Sequence, residues 1–165
     1  MMAPPIRPAT ALPDDVFRER LGDTIAALEA WAADNRDVAE IEMATGAEFW
    51  KIRAVPHMQG ACPFEILLRT NQTFSVNLAS EVYEDRRIDR FDFFAMFVRA
   101  VTLGNVERIE TLSAATGARE MIEMRVDLED GWAWIGERRI APRSLRKFET
   151  HEVCRLRRFL SYRRN

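Results

Sequence analysis

The strongest hydrophobic signal of the chain lies at residues 88–104. Four phenylalanines and a set of aliphatic side chains fill most of this stretch, and polar side chains are few. Asp89 can cap the first free backbone N–H groups of a helix, and Gly104 suits a left-handed helix end. At roughly 15 residues, against the ~20 that a bilayer requires, this helix is too short to cross a membrane. The pattern therefore predicts an apolar central helix that its own domain or a partner must bury.

The polar positions of this central helix distinguish two interpretations. Asp92 and Arg99 lie about two turns apart on one narrow stripe. If that stripe reaches water while the phenylalanines meet a sheet, the helix belongs to the core. If Phe91, Phe94 and Val98 stay exposed in the monomer, they form a partner interface, which favours a homodimer.

Helical periodicity also marks both ends of the chain. Asp14 or Asp15 caps a first helix, in which apolar residues recur at helical spacing as far as Asp34. This pattern predicts an amphipathic covering helix. Near the end of the chain, Pro142 and Ser144 introduce a second helical pattern that is rich in arginine.

Between the first and central helices, the hydrophobic period changes to two. Residues 39–78 contain four alternating segments separated by turn residues, which predict a four-strand antiparallel meander. A two-residue turn at Gly46-Ala47 would place Glu42 opposite Lys51, so the charges favour this register of the first hairpin.

Three further strands are predicted between residues 106 and 136. A turn at Gly117-Ala118 would place Glu110 opposite Arg125, whereas a turn one residue earlier would oppose like charges. Asp130-Gly131 marks the next turn. Alternation predicts that the second of these strands has one apolar inner face, made of Ile122, Met124, Val126 and Leu128.

These elements define the fold class as α+β. We expect a single domain with a mostly antiparallel sheet of about seven strands, an N-terminal amphipathic helix, a central apolar helix and a C-terminal basic helix. The order of elements looks like that of small acidic secretion chaperones. This resemblance concerns the fold alone, since no motif carries it and it assigns no role to any residue.

Size and composition set the domain boundaries and the compartment. Residues 1–12 are rich in proline and lack the apolar run of a signal peptide, so we expect a disordered tail followed by one domain, residues 13–165. Cys62 and Cys154 are too few for a disulfide scaffold and fit a reducing cytoplasm. No stretch is long enough to span a membrane.

Charge is distributed unevenly along the chain. Residues 143–165 contain eight arginines or lysines and two glutamates, although the whole chain has a net charge of −2. On a terminal helix, Arg155 and Arg158 would share a face that Arg146 extends, which makes these three residues candidates for phosphate or nucleic-acid contacts. Neutralisation by the acidic remainder of the chain, or by a second copy, is the favoured alternative.

The tryptophans suggest a candidate pocket. Trp132 and Trp134 alternate on one predicted strand with Gly136 on the same side, and Trp50 lies on the buried face of an earlier strand. Together they could line a pocket for an apolar small molecule, although ordinary core packing is the favoured reading.

Chemistry-bearing motifs are sparse. His57, Cys62, His151 and Cys154 are the only histidines and cysteines of the chain. Their spacing is not that of a usual zinc finger, so we expect separate residues and no metal site. The sequence has neither a glycine-flanked nucleophile nor a phosphate-binding glycine loop, so no catalytic residue is assigned and no cofactor is expected.

These observations favour a non-enzymatic domain in the cytoplasm that binds a protein segment or an apolar ligand and forms a homodimer. Nucleic-acid binding through the basic terminal helix is the alternative. A small-molecule enzyme or carrier with an apolar pocket is the second alternative.

Overall fold

A computed structural model describes residues 12–140 and 152–164. Within these ranges the chain forms two helices and nine strands. In chain order they are α1 (Asp14–Asn35), β1 (Ala39–Thr45), β2 (Phe49–Pro56), β3 (Phe64–Arg69), β4 (Thr73–Leu78), β5 (Glu81–Arg87), α2 (Phe93–Leu103), β6 (Val106–Ser113), β7 (Arg119–Asp127), β8 (Ala133–Arg139) and β9 (Glu152–Arg158).

The first sheet is an antiparallel meander of five strands in the order β1-β2-β3-β4-β5. Alternating apolar residues give it one buried face, because successive side chains of a strand point to opposite sides. Ile52, Ile66 and Val76 lie side by side on three neighbouring strands, and each is 0% exposed. The predicted α+β class and the alternation of the first four strands are confirmed.

Helix α2 is the central packing element. The Phe94 ring meets Phe74 of the first sheet at 5.0 Å between centroids, and Phe97 meets Trp134 of β8 at 5.5 Å. Asp92 and Arg99 lie on its exposed side, where Arg99 is paired with Glu129. The helix is therefore core, and it ends at Gly104 with a φ of 81°, the predicted left-handed stop.

The second sheet has four antiparallel strands in the order β8-β7-β6-β9. The predicted inner face of β7 is confirmed, because all four of its apolar side chains are buried: Ile122, Met124, Val126 and Leu128. The expectation of a single sheet with about seven strands is wrong. The described residues form nine strands in two sheets. Strands β5 and β9 were not predicted, and β6 begins a separate sheet after α2.

The predicted register of the first hairpin is wrong by two residues. Glu42 lies opposite Arg53, and Lys51 lies opposite Ala44. The connection is longer than a two-residue turn, because the Gly46 N–H donates to the Phe49 carbonyl and the Phe49 ring covers Gly46. A shift of two positions leaves each side chain on its predicted face, since the period of a strand is two.

The predicted register of the β6–β7 hairpin is also wrong. Arg125 lies opposite Glu107, and Glu110 lies opposite Ile122. A longer turn and an irregularity at Thr111 and Leu112 displace the ladder from the predicted pairing. Glu110 instead forms an ion pair with Arg108 of its own strand, in place of the predicted pair with Arg125.

The predicted basic C-terminal helix does not form over residues 152–158. This segment is β9, which pairs antiparallel with β6 along its whole length. The free edge of β6 offers backbone partners that outweigh the weak helical pattern of this segment. The first part of the predicted helix and most of the predicted tail lie outside the described residues.

No helix in the described part of the chain is long and apolar enough to cross a membrane.

Candidate functional site

A cluster of charged side chains connects the two sheets. Glu81 of β5 is 5% exposed. Arg138 of β8 donates to it from Nε at 2.7 Å and from Nη2 at 3.0 Å. Arg108 of β6 lies 3.8 Å from the same carboxylate and also bonds Glu110 at 3.1 Å. The edge strand of one sheet is thus fixed to the inner face of the other.

The electrostatics of this cluster suit a structural role. The hydrogen bonds from Arg138 lower the pKa of Glu81, and this effect exceeds the opposing effect of burial. Glu81 therefore stays ionised at neutral pH. A carboxylate held by two guanidinium groups is a poor general base, because its proton affinity is reduced.

Tyr83 forms a second contact between the sheets. Its hydroxyl donates to the Gly136 carbonyl at 3.1 Å, and its ring lies where a Cβ of residue 136 would otherwise stand. Burial raises the pKa of Tyr83 to about 12, so the phenol stays protonated. The glycine predicted beside the tryptophans thus accommodates a tyrosine ring.

The predicted tryptophan pocket does not come together. Trp50 is buried in the first sheet, whereas Trp132 is 70% exposed and precedes β8. Trp134 contributes to an apolar groove of about 170 Å³, together with Phe74, Phe93, Arg87, Asp89 and Arg90. This volume is below the ~300 Å³ of typical ligand pockets, so the groove suits a single side chain better than a small molecule.

A larger polar groove of about 590 Å³ lies beside the end of the chain. Arg163 crosses it and bonds both carboxylate oxygens of Asp37 at 2.7 and 3.0 Å. The neighbouring Tyr162 hydroxyl donates to the Cys62 carbonyl. Asp37, Tyr162 and Arg163 are thus engaged with protein groups, whereas His57, Gln59 and Arg164 also line the groove.

The outer face of the second sheet carries exposed apolar side chains. We use this name for the side of the sheet opposite Met124. Ile135 of β8 is 42% exposed and Leu156 of β9 is 52% exposed. Leu156 lies directly opposite the half-buried Ile109 of β6. Ile135 lies on the opposite edge strand of the sheet, so the contiguous apolar surface of this face is the pair of Leu156 and Ile109 beside β9.

Within residues 12–140 and 152–164, strand β9 is paired along one side only, and just beyond its end the Leu160 N–H donates to the Gly60 carbonyl. Among the described residues, β6 is the only strand that pairs with β9. The Phe159 N–H donates to the Val106 carbonyl, which fixes the phase of the ladder. Because bonded and non-bonded pairs alternate in an antiparallel ladder, the backbone groups of Cys154, Leu156 and Arg158 point away from β6. We call these outward groups the β9 edge.

The two described arginines of the predicted phosphate-contact set do not share a face. Three positions apart on a strand, Arg155 and Arg158 point to opposite sides of the sheet. Arg155 lies 3.8 Å from Glu110, and Arg158 lies 3.2 Å from Glu107. Arg146, the third member, lies outside the described residues.

The proposed partner residues of the central helix lie mostly inside the domain. Phe94 is 1% exposed and Val98 is 0% exposed, whereas Phe91 is half-buried against Phe17. Since Phe94 and Val98 are covered within the same chain, a partner surface must be sought elsewhere. Homodimer formation itself stays a prediction.

The residues considered for a metal site are separated. His57 is exposed in a loop, Cys62 is 0% exposed, and Cys154 is exposed on β9. His151 lies outside the described residues. Within ranges 12–140 and 152–164, no three acidic, histidine or cysteine side chains are placed to hold a metal ion together.

Neither the buried Glu81 of β5 nor the β9 edge was predicted from the sequence. The charged run around Glu84 concealed β5, and with it the buried Glu81. Pro142, Ser144 and the apolar spacing after them favoured a helix, although the alternation of Val153, Arg155 and Arg157 with Cys154 and Leu156 is equally compatible with a strand. The β9 edge exists because this segment pairs with β6, and a pattern within the segment does not reveal that pairing.

No family model, curated protein or solved structure matches this chain.

Proposed function

We propose that this domain is a non-enzymatic protein-interaction module that receives a segment of another protein on its second sheet. The observation that carries the proposal is the β9 edge, a regular seven-residue strand that pairs on one side only within the described part of the chain. Open edges of this kind are templates for strand addition, which natural proteins usually block.

Exposed apolar side chains beside the edge support the proposal. Val153 is 50% exposed on one side of β9, and Leu156 is 52% exposed on the other. A strand added at the edge would place its own alternate side chains next to both of them. Backbone hydrogen bonds would then supply affinity, and these two positions would supply selectivity.

The charged side chains between the two sheets favour binding over catalysis. Glu81 is held by Arg138 and Arg108, and Glu110 is held by Arg108. Both of these carboxylates have a cationic partner, and the pKa of Glu81 is shifted away from neutrality. A general acid or base would need a pKa nearer to the working pH.

Peptide display tests this proposal. A library of random extended peptides is selected on the full chain, and the selected peptides are mapped by NMR on the isotope-labelled protein. We expect chemical-shift changes in β6, β9 and the outer face of the second sheet. Selection of no peptide, or shifts confined to the groove at Arg163, would contradict the proposal.

A pair of matched leucine variants sharpens the test. Leu156→Asn changes the outer face without adding charge, whereas Leu103→Asn changes a leucine that is 65% exposed at the end of α2. We expect the first variant to weaken binding about tenfold, the cost of losing one well-placed apolar contact, and the second to leave binding unchanged. Light scattering of the free protein tests the predicted homodimer separately.

A further inference from the structure

We propose that the partner segment is acidic and extended, and that it adds to the second sheet as a fifth strand along the β9 edge. This inference rests on the proposed function and specifies its ligand. Its basis is the combination of outward backbone groups with arginines on both faces of the same strand.

The backbone geometry defines where the segment would lie. The outward N–H and C=O groups belong to Cys154, Leu156 and Arg158, which are spaced by two residues. An added strand bonds such groups at a strand separation of about 4.8 Å. The ladder between β9 and β6 has no irregularity over seven pairs, so the outer edge is regular as well.

The other edges of the two sheets are less suited to an acidic segment. Strand β5 has an irregularity between Phe74 and Val76 of its ladder, and a positive φ at Asp85. The Gly136 carbonyl of β8 is already taken by Tyr83. Strand β1 is regular but carries two exposed glutamates, which would repel an acidic strand.

The arginines of β9 provide the charge selectivity. The strand contains three arginines and one glutamate. The side chains of Arg155 and Arg158 are 70% and 75% exposed. Arg157 lies over the Phe159 ring at 4.7 Å from its centroid, and the ring limits its orientation. Arg155 can turn to a ligand carboxylate while Arg108 keeps Glu110 paired, and the mostly exposed side chain of Arg158 can reach a ligand beside Glu107.

The same charges disfavour a second copy of this chain at the edge. Two β9 strands side by side would bring six arginines and two glutamates together, and like charges opposite one another destabilise a ladder. A single nucleic-acid strand is disfavoured too. It could not complete the ladder of backbone hydrogen bonds, because its backbone carries no amide donors.

Fluorescence anisotropy with a defined probe tests the inference. The probe is a labelled peptide of about ten residues with blocked termini, in which pairs of valines alternate with pairs of glutamates so that both residue types lie on each face of the added strand. We expect saturable binding to the full chain that weakens when salt screens the charges. The same peptide with lysine in place of glutamate should bind at least tenfold more weakly, and N-methylation of alternate residues should abolish binding because it removes the backbone donors.

Protein variants supply the matched controls. The double variant Arg155→Glu, Arg158→Glu should bind the probe at least tenfold more weakly, whereas Arg53→Glu, on the first sheet, should bind it as the wild type does. Circular dichroism verifies the folding of each variant. Since the peptide variants leave the protein unchanged, they test the inference even if the double variant fails to fold.

Four results would overturn the inference. They are unchanged binding of the N-methylated peptide, unchanged binding by the double variant, preferential binding of the lysine peptide, and tighter binding of an oligothymidylate than of the acidic peptide at these arginines. If display-selected peptides still bind the second sheet in any of these cases, the proposed function stands and strand addition by an acidic segment falls.

Discussion

Arg138 and Glu81 form a bidentate salt bridge that joins the two sheets. The guanidinium Nε and Nη2 lie 2.7 and 3.0 Å from the two carboxylate oxygens. Glu81 is almost fully buried, whereas half of the Arg138 side chain is in water. The buried carboxylate of Glu81 is thus bonded by an arginine that stays in contact with water. It fixes β5 against β8, although these strands belong to different ladders.

Removing the arginine should destabilise the domain measurably. Arg138→Met keeps the aliphatic stem but leaves Glu81 with Arg108 alone, at 3.8 Å. We expect a loss of about 1–3 kcal/mol in the free energy of unfolding, below the full cost of an unpaired buried charge because water can reach this site. Arg125→Met, which breaks an exposed pair with Asp127, should cost clearly less, because exposed ion pairs contribute little to stability. Equal costs in urea denaturation would contradict the buried role of Glu81.

The same pair predicts the sign of the pH dependence. The pKa of Glu81 is lowered in the folded protein from an ordinary value of 4.5, so the folded state holds the ionised form more tightly than the unfolded chain does. The contribution of Glu81 to the free energy of unfolding is complete above that ordinary value, and it is lost as the pH falls through the pKa of Glu81 in the folded protein. Glu81→Gln should therefore be less stable than the wild type at neutral pH. In urea titrations the two stabilities should converge as the pH falls through the lowered pKa of Glu81.

Salt separates this contribution from those of surface pairs. Hydrogen bonds from Arg163 and Arg90 lower the pKa values of Asp37 and Asp92, so these exposed carboxyls act in the same direction. High salt should reduce their share and leave the difference between the wild type and Glu81→Gln largely intact, because a buried pair is screened less. A difference that vanishes with salt would place Glu81 at the surface in solution.

The strength of local patterns explains how much of the fold could be predicted. The central helix was identified because Phe94, Phe97 and Val98 leave almost no polar surface, a signal that does not depend on partners. The inner face of β7 was identified because its apolar residues alternate without interruption. In both cases burial is written directly into the sequence.

Register and edges could not be predicted to the same degree. The predicted turn at Gly46-Ala47 ignored the Phe49 ring, which covers Gly46 and lengthens the connection. Charge pairing placed Glu110 opposite Arg125, whereas Glu110 bonds Arg108 along its own strand. Cross-strand ion pairs on exposed faces contribute too little to select a register.

The candidate site depended on the one element assigned to the wrong class. As a helix, the terminal segment would place Arg155 and Arg158 together and suggest phosphate binding. As a strand, it separates them and, among the described residues, pairs along one edge only. The choice is made by β6, whose free edge offers a complete ladder of hydrogen bonds, and this choice is invisible in the segment itself.

The two cysteines should differ sharply in reactivity. Cys62 is 0% exposed, and burial raises the pKa of its thiol to about 12. Cys154 is exposed on the outer face of the second sheet. Since the thiolate is the reactive form, a thiol reagent should label Cys154 quickly and Cys62 only after unfolding. Cys154→Ser should abolish the fast phase. Rapid labelling of both thiols in the folded protein would contradict the burial of Cys62.

Gly104 should tolerate a side chain less well than Gly131, although both have a positive φ, 81° and 87° respectively. A Cβ at Gly104 would lie 2.7 Å from the Ser161 nitrogen and 2.8 Å from the Leu160 carbonyl carbon, whereas a Cβ at Gly131 would meet nothing within 4 Å. Gly131→Ala should therefore cost only the left-handed backbone strain, about 1–2 kcal/mol. Gly104→Ala should cost a further ~1–3 kcal/mol, because it pushes the segment after β9 away from α2. Urea denaturation of both variants measures the difference, and hydrogen exchange at Tyr162, which donates its N–H to the Thr102 carbonyl, reports the displacement. Equal losses of stability with unchanged exchange at Tyr162 would mean that the chain end does not pack against α2 in solution.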